Sequence, residues 1–267
     1  MKFLSLYVYS AKQTIREELV HRASFLTGVV GQWLYYGGTC LTLYILVTTF
    51  GSLGGWNASE IALLFAFTLL TYALAATVFF NPCRNLADKI RSGDFDGALV
   101  RPVDPLLFEI SQGFNFGYIG HILLSSAILI LCAPRTAFSC TLPGILLFLL
   151  MLASAVLLQT ALLLFASTFS FFTVGDNPLL FLLTHNLKQF VDYPLSIYST
   201  AIQTVLTFVL PYGFLNFYPA GVVLQKQGTF VYPGLCSVLP PFVSLSAFLL
   251  SVYLWKRSLK HYQSTGS

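Results

Sequence analysis

The chain has 267 residues, of which 56% are hydrophobic, 16% aromatic and only 9% charged; its net charge is +4 and its mean hydropathy +0.76. A soluble domain carries about 25% charged residues, so a water-facing surface cannot be built from this composition and lipid must cover most of the exterior. The basic residues fall in short clusters rather than along one continuous face, which excludes a nucleic-acid-binding stripe.

Residues 1–22 place Leu4, Val8, Ala11, Ile15 and Leu19 at helical spacing, with Lys12, Arg16 and Glu17 off that stripe. This pattern predicts an amphipathic helix lying on the cytoplasmic leaflet; a plain cytosolic lead-in is the blander alternative. No short apolar core with a cleavage site is visible, so the first span is expected to serve as its own insertion signal. A crossing helix needs about 20 mostly apolar residues. Six charge-poor stretches qualify, at residues 25–50, 61–80, 114–133, 142–172, 197–215 and 235–255, and together they predict an all-α polytopic membrane protein in a single domain, 1–267. The fourth is longer than one straight crossing requires and should tilt or project.

Orientation follows from the loops. Lys2, Lys12, Arg16 and Arg22 precede the first span, and Arg84, Lys89, Arg91 and Arg101 follow the second. Lys188 follows the fourth, and Lys256, Arg257 and Lys260 lie in the tail. The opposite side holds only Arg135 and Lys226 of the 14 basic residues, so the rich side, with both termini, is cytoplasmic. Trp56 and Trp255 fall at predicted span ends, where indoles sit among headgroups. Pro211, Pro219, Pro233, Pro240 and Pro241 interrupt the apolar run before the last span. Proline breaks helices, and irregular backbone at membrane depth must be buried in protein or face water. Residues 211–234 are therefore expected to form a re-entrant segment in the outer leaflet. Of the five cysteines, Cys132 and Cys140 are near enough in sequence for a disulfide, with free thiols the preferred reading.

No phosphate loop, H-E-x-x-H or G-x-S-x-G motif occurs, and His21, His121, His185 and His261 are scattered singly; no catalytic, cofactor or metal site is predicted. Asp88, Asp94, Asp96, Asp104, Glu109, Asp176 and Asp192 are all expected in cytoplasmic loops, which leaves no intramembrane acid to couple transport to an ion gradient. The most charged loop is 81–109. Asn81-Pro82 suits a helix start and Gly93 a stop, predicting a short helix at 84–92 that carries both charge signs. Arg101-Pro102 and Asp104-Pro105 then fix two turns. A solvated hairpin without a partner is the alternative.

The run GDFDGALVRPVDPLL at 93–107 resembles the first cytoplasmic loop of bacterial type-2 ATP-binding-cassette (ABC) exporter permeases, in a subgroup long described only as an uncharacterised permease family. DYPLSIY at 192–198 and FVLPYGFLNFYPA at 208–220 extend the resemblance along essentially the whole chain. It implies a permease in the bacterial cytoplasmic membrane, not itself an enzyme, that works as a homo- or heterodimer. Two separate ABC ATPase subunits would bind the ATP. It also implies that the helix after the second span docks on the ATPase, with the N-terminal helix beside it. Carried over, the docking residues are Arg84, Asp88, Lys89, Arg91, Asp94, Asp96 and Arg101; the substrate and the residues lining its path are left open. A membrane enzyme acting on a lipid-linked substrate is the competing reading, with Asp176, His185 and Asp192 as its interfacial groups.

Overall fold

The computed structural model describes residues 2–173 and 177–262, with nothing to say of the side chains of Lys2, Phe3 and His185. It is all-helical. Among the described residues the one strand-like pairing is an isolated bridge between Leu53 and Trp56. The principal helices are α1 (Lys2–Val20), α2 (Arg22–Phe50), α3 (Ala58–Ser92), α4 (Asp96–Leu99), α5 (Pro105–Gln112), α6 (Ile119–Cys132), α7 (Leu142–Thr168), α8 (Pro178–Phe181), α9 (Thr200–Thr204), α10 (Phe217–Val223), α11 (Pro233–Val238) and α12 (Pro240–Ser258).

Three helical stretches are long and apolar enough to cross a membrane: Ala58–Ser92, Phe116–Arg135 and Leu142–Phe171. A pair bent by 74°, Thr200–Val209 and Pro211–Val223, makes a fourth if it is taken as one span. The 29-residue α2 is long enough, but glycines and threonines dilute its hydropathy; Lys256, Arg257 and the opening prolines do the same to the 19-residue α12. The outward faces are apolar nonetheless. Leu146, Leu149 and Leu150 on α7 and Leu245, Leu249 and Leu250 on α12 are all more than half exposed, an arrangement that suits hydrocarbon and not water. Most hydroxyls inside the helices bond back one turn, as Thr68 does to Leu64 O (2.9 Å) and Thr160 to Val156 O (2.9 Å), which satisfies the donor in an apolar setting; Thr71 Oγ1 is buried without a partner.

α3 is the axis of the bundle, and nearly all its residues from Glu60 to Ala76 are buried. A reciprocal cap starts it: Asn57 Oδ1 accepts from Glu60 N, and Glu60 Oε2 accepts from Asn57 N. Pro82 does not start a separate docking helix, as its sequence suggested. It lies inside α3, which continues to Ser92 and ends on Gly93 at φ +79°. A chain segment crosses α3 at the proline. The Gly113 backbone lies so close that a Cβ there would collide with the Pro82 ring, and Asn115 N donates to Thr77 O at 2.9 Å. α7 and α12 run alongside α3 in the same sense, whereas α2 and α6 run the other way.

The largest departure from the sequence reading is the fifth pass. Residues 173–196 were expected in a loop; instead residues 178–197 climb the bundle antiparallel to α3. They start beside Arg84 and Asp88, pass Tyr72 at Lys188, and reach Gly54 at the far end, where Ser196 Oγ donates to Gly54 O (2.7 Å). The run is a single α turn, then π and 3-10 turns, then the Pro194 break. Its irregular backbone is why apolar length did not reveal it. Residues 200–223, which contain most of the expected fifth span, instead fold against its end. Asn216 Nδ2 donates to Thr68 Oγ1 (2.8 Å) and to Val191 O, and Tyr212 OH donates to Leu183 O (2.6 Å). Lys226 then returns to the Gly54 end, pairing with Glu60 at 3.0 Å and Gly55 O at 3.1 Å. Trp56 and Trp255 are likewise not at a headgroup surface. Both are buried, Trp56 against Phe217 and Trp255 against Phe171 and Phe95, because each ring fills a gap where chain segments cross. All five thiols are free.

Candidate functional site

The Gly93 end is a braced platform. Beyond Gly93 the chain turns back, and Phe95 N donates to Lys89 O (3.1 Å). The Phe95 ring is wholly buried among Phe171 (5.7 Å), Trp255 (6.5 Å) and Tyr262 (5.2 Å). Asp104 caps α5 by accepting from Leu106 N and Leu107 N, with Pro105 at the first helical position where its missing N–H costs nothing. Three polar ties hold the parts together. Lys89 Nζ meets the buried Glu109 at 2.6 Å, Lys256 Nζ meets Asp104 at 2.8 Å, and Tyr262 OH donates to Asp96 at 2.8 Å.

These ties divide the seven residues singled out by sequence. Lys89 and Asp96 face inward as braces. Asp88 and Arg91 pair on the surface at 2.7 Å, Asp94 accepts from Ser92 Oγ at 2.6 Å, and Arg101 lies over the Phe108 ring at 4.6 Å. Arg84 sits apart, facing a cleft. At the tip, sequence reasoning passed over an apolar patch: Val100 is 83% exposed, with Leu99 and Leu107 exposed beside it. The signal was present in the run Ala-Leu-Val, standing uncharged between Asp96 and Arg101.

The cleft runs along α3 between α2, the start of α6 and the fifth pass. Three adjoining cavities of about 500, 520 and 120 Å³ share Phe80, Arg84, Tyr36, Tyr72 and Thr184 among their linings. Lys188 Nζ lies over the Tyr72 ring at 4.8 Å and the Tyr36 ring at 5.6 Å, within cation–π range. Asp192, one turn on, lines the same space; a carboxylate therefore lies inside the bundle, contrary to the expectation that all acids sit in loops. His121 packs against Tyr36 (4.8 Å) and Tyr118 (5.3 Å). Asp176, from the enzyme reading, lies outside the described residues, as does the side chain of His185. Among the described residues no group of three His, Cys, Asp or Glu side chains is placed to hold a metal ion.

A family model described as ABC-2 family transporter protein matches residues 33–266, covering α3, the platform, the fifth pass and all of the cleft's lining but Gly31 and Gln32. The chain belongs to this family. The match fits the resemblance carried by 93–107, 192–198 and 208–220, and it makes the protein a membrane transport permease. No curated protein and no solved structure matches the chain significantly. The permease's platform and cleft are joined by one element, since Arg84 and Asp88 on α3 line the cleft's lower cavity within about three turns of the Gly93 cap.

Proposed function

We propose that this permease is the membrane subunit of an ABC exporter, driven by separate ATPase subunits that dock on the Gly93 end. The observation that carries the reading is the tip. An apolar Leu99–Val100 knob stands exposed among Asp94, Arg91 and Arg101, on a platform braced to α3, α5 and α12. An exposed apolar residue ringed by charges on a rigid mount suits a protein groove. Lys89 and Asp96 belong to the brace, so the docking residues are Arg91, Asp94, Arg101 and the two apolar side chains, with Asp88 at the edge.

Six crossings are proposed: α2, α3, 116–135, 142–171, 178–197 and α12, with 200–224 re-entrant from the Gly54 end. Both ends of the chain support this parity, since Leu4 and Tyr7 of α1 and Lys256 of α12 border the same groove beside Leu107. α1 turns Leu4, Val8 and Leu19 outward, as an interfacial helix would. With Lys188 moved into the bundle, eleven of the thirteen remaining basic residues still lie at the Gly93 end, which is read as cytoplasmic in a bacterial inner membrane. At 1.5 Å per residue, the 35 residues of α3 span about 52 Å. That exceeds a hydrocarbon core of ~30 Å, so its last turns project and carry the platform clear. A second permease copy or a related permease would complete the transporter.

The test is to purify the tagged full chain from its native membrane and identify a co-purifying phosphate-loop ATPase. Val100→Glu with Asp94→Lys should reduce that ATPase roughly tenfold or more, as charges wrongly placed at an interface do, while membrane insertion is unchanged. An ATPase retained by this variant, or never recovered with the wild-type chain, would sink the proposal.

A further inference from the structure

We infer that the cleft binds an organic anion, a phosphate or carboxylate group on a body that also carries hydroxyl or amide donors. The inference deepens the permease reading, and rests on it only in treating the cleft as a transport path.

Lys188 and Arg84 carry the argument for the anion. Lys188 is seated on two tyrosine rings, and among the described residues no carboxylate oxygen lies within 4.0 Å of its Nζ. Arg84 lies 5.9 Å from the Phe80 ring and likewise makes no ion pair. Aromatic faces attract a cation but do not take up its N–H groups as oxygen does. Each group therefore keeps its donors for an incoming oxyanion. The other charges of the cleft's described residues do not cancel them: Asp88 is matched by Arg91 at 2.7 Å, and among those residues Asp192 alone opposes the two cations.

His121 and Gln32 carry the argument for the donors. His121 is only 5% exposed, and its Nδ1 has no hydrogen-bond partner. Gln32 donates through Nε2 to Gly117 O (3.1 Å), but its Oε1 is buried and unpartnered. Both residues line the upper cavity, beside Tyr36, Tyr118 and Arg84, and the two unpartnered atoms lie just behind its wall. Buried polar atoms without partners are rare and costly, and an unpartnered amide oxygen and imidazole nitrogen behind the wall of an open cavity suit hydroxyl or amide groups of a ligand whose anion lies on Arg84 and Lys188.

The experiment measures binding to the full chain in neutral detergent by calorimetry. Phosphatidylglycerol and glycerol phosphate share a phosphate and hydroxyls but differ in source, lipid against soluble; dodecyltrimethylammonium is the cationic counter-probe. One of the two phosphates should bind, and which of them does tells the source. Lys188→Gln and Arg84→Gln should each weaken it roughly tenfold or more, the scale for removing one partner of a desolvated charge pair. Lys188→Arg should retain binding, and Arg135→Gln, outside the cleft, should leave it unchanged. Arg84 is exposed, so its variant carries the test if Lys188→Gln fails to fold. Phosphate binding indifferent to both variants would overturn the inference. So would tighter binding of dodecyltrimethylammonium once Lys188 is removed, since Lys188 would then be filling a cation's cage. Recovery of the ATPase with the same variants keeps the readings separate. An ATPase retained by variants whose wild-type parent binds neither phosphate leaves the permease standing and removes the anion.

Discussion

Asp104 shows how single side chains hold the platform. Burial pushes its carboxyl up, but the hydrogen bond and charge of Lys256 and the N–H groups of Leu107 and Leu106 outweigh that and hold it below its ordinary 3.8. A carboxyl whose pKa is depressed by folding contributes stability above its unfolded value, and that stability is lost as pH falls through the folded one. Acidification below about pH 4 should therefore loosen the α12 tail, read as a change in fluorescence of a variant that keeps Trp255 as its only indole. Asp104→Asn should abolish that acid transition, and an unchanged transition would dismiss the tie. Gly113 makes a second case. Gly113→Ala drives a methyl group into the Pro82 ring and should cost about 1–3 kcal/mol, seen as a lower thermal midpoint. Pro82→Ala removes the ring and also restores an N–H to the helix, so the double variant should recover most of the loss. Additive losses would mean that the two residues do not press on one another.

Among the elements, α3 and residues 200–224 behave oppositely. α3 runs on through Pro82, with the 113–115 crossing packed over that turn: Gly113 lies on the ring and Asn115 N donates to Thr77 O. The sequence pointed to a break there, since a proline in isolation ends a helix more often than it is bridged. Residues 200–224, in contrast, form only short irregular turns, held by the burial of residues 212–224 and by polar contacts from Tyr212 and Asn216, with Lys226 tying down the segment that follows. Glu60 is buried and serves its own helix cap as well as Lys226. Glu60→Gln keeps the cap geometry and strands the ammonium. With Lys226 partly exposed, the cost should be about 1–2 kcal/mol, with faster proteolysis near Gln225, the one non-glycine described residue at positive φ (56°). Proteolysis at the wild-type rate would show that other contacts hold the segment.

At the scale of the whole molecule, the loop-based topology and the tertiary topology differ in a measurable way. Both place Gly54 and Arg135 on one side, and Gly93 and His261 on the other. Only the tertiary structure moves Ser196 to the Gly54 side. A cysteine at Ser196 should therefore be labelled by an impermeant reagent from outside the cell, and labelling only after the membrane is opened would return 173–196 to the cytoplasm. The same displacement changes the chemistry attributed to the bundle, because it brings Lys188 and Asp192 out of an aqueous loop and into the cleft.

The helical membrane class, the stretches that form α2, α3, α6, α7 and α12, the Gly93 stop and the family could all be read from residue order. These depend on local quantities: apolar length, charge spacing, a glycine able to take positive φ, and motifs contiguous in the chain. The tertiary structure alone decided that Lys89 and Asp96 brace the platform, that Val100 stands out from it, and that both tryptophans are buried. It alone built the cleft, whose aromatic and cationic residues come from positions 35 to 188. An irregular helix has no fixed period to betray it, and Lys188 in a short polar stretch looks the same whether water or two tyrosines surround it. Its two tyrosine neighbours come from chain segments more than a hundred residues away, and packing them together is what turned a loop lysine into a lining residue of the cleft.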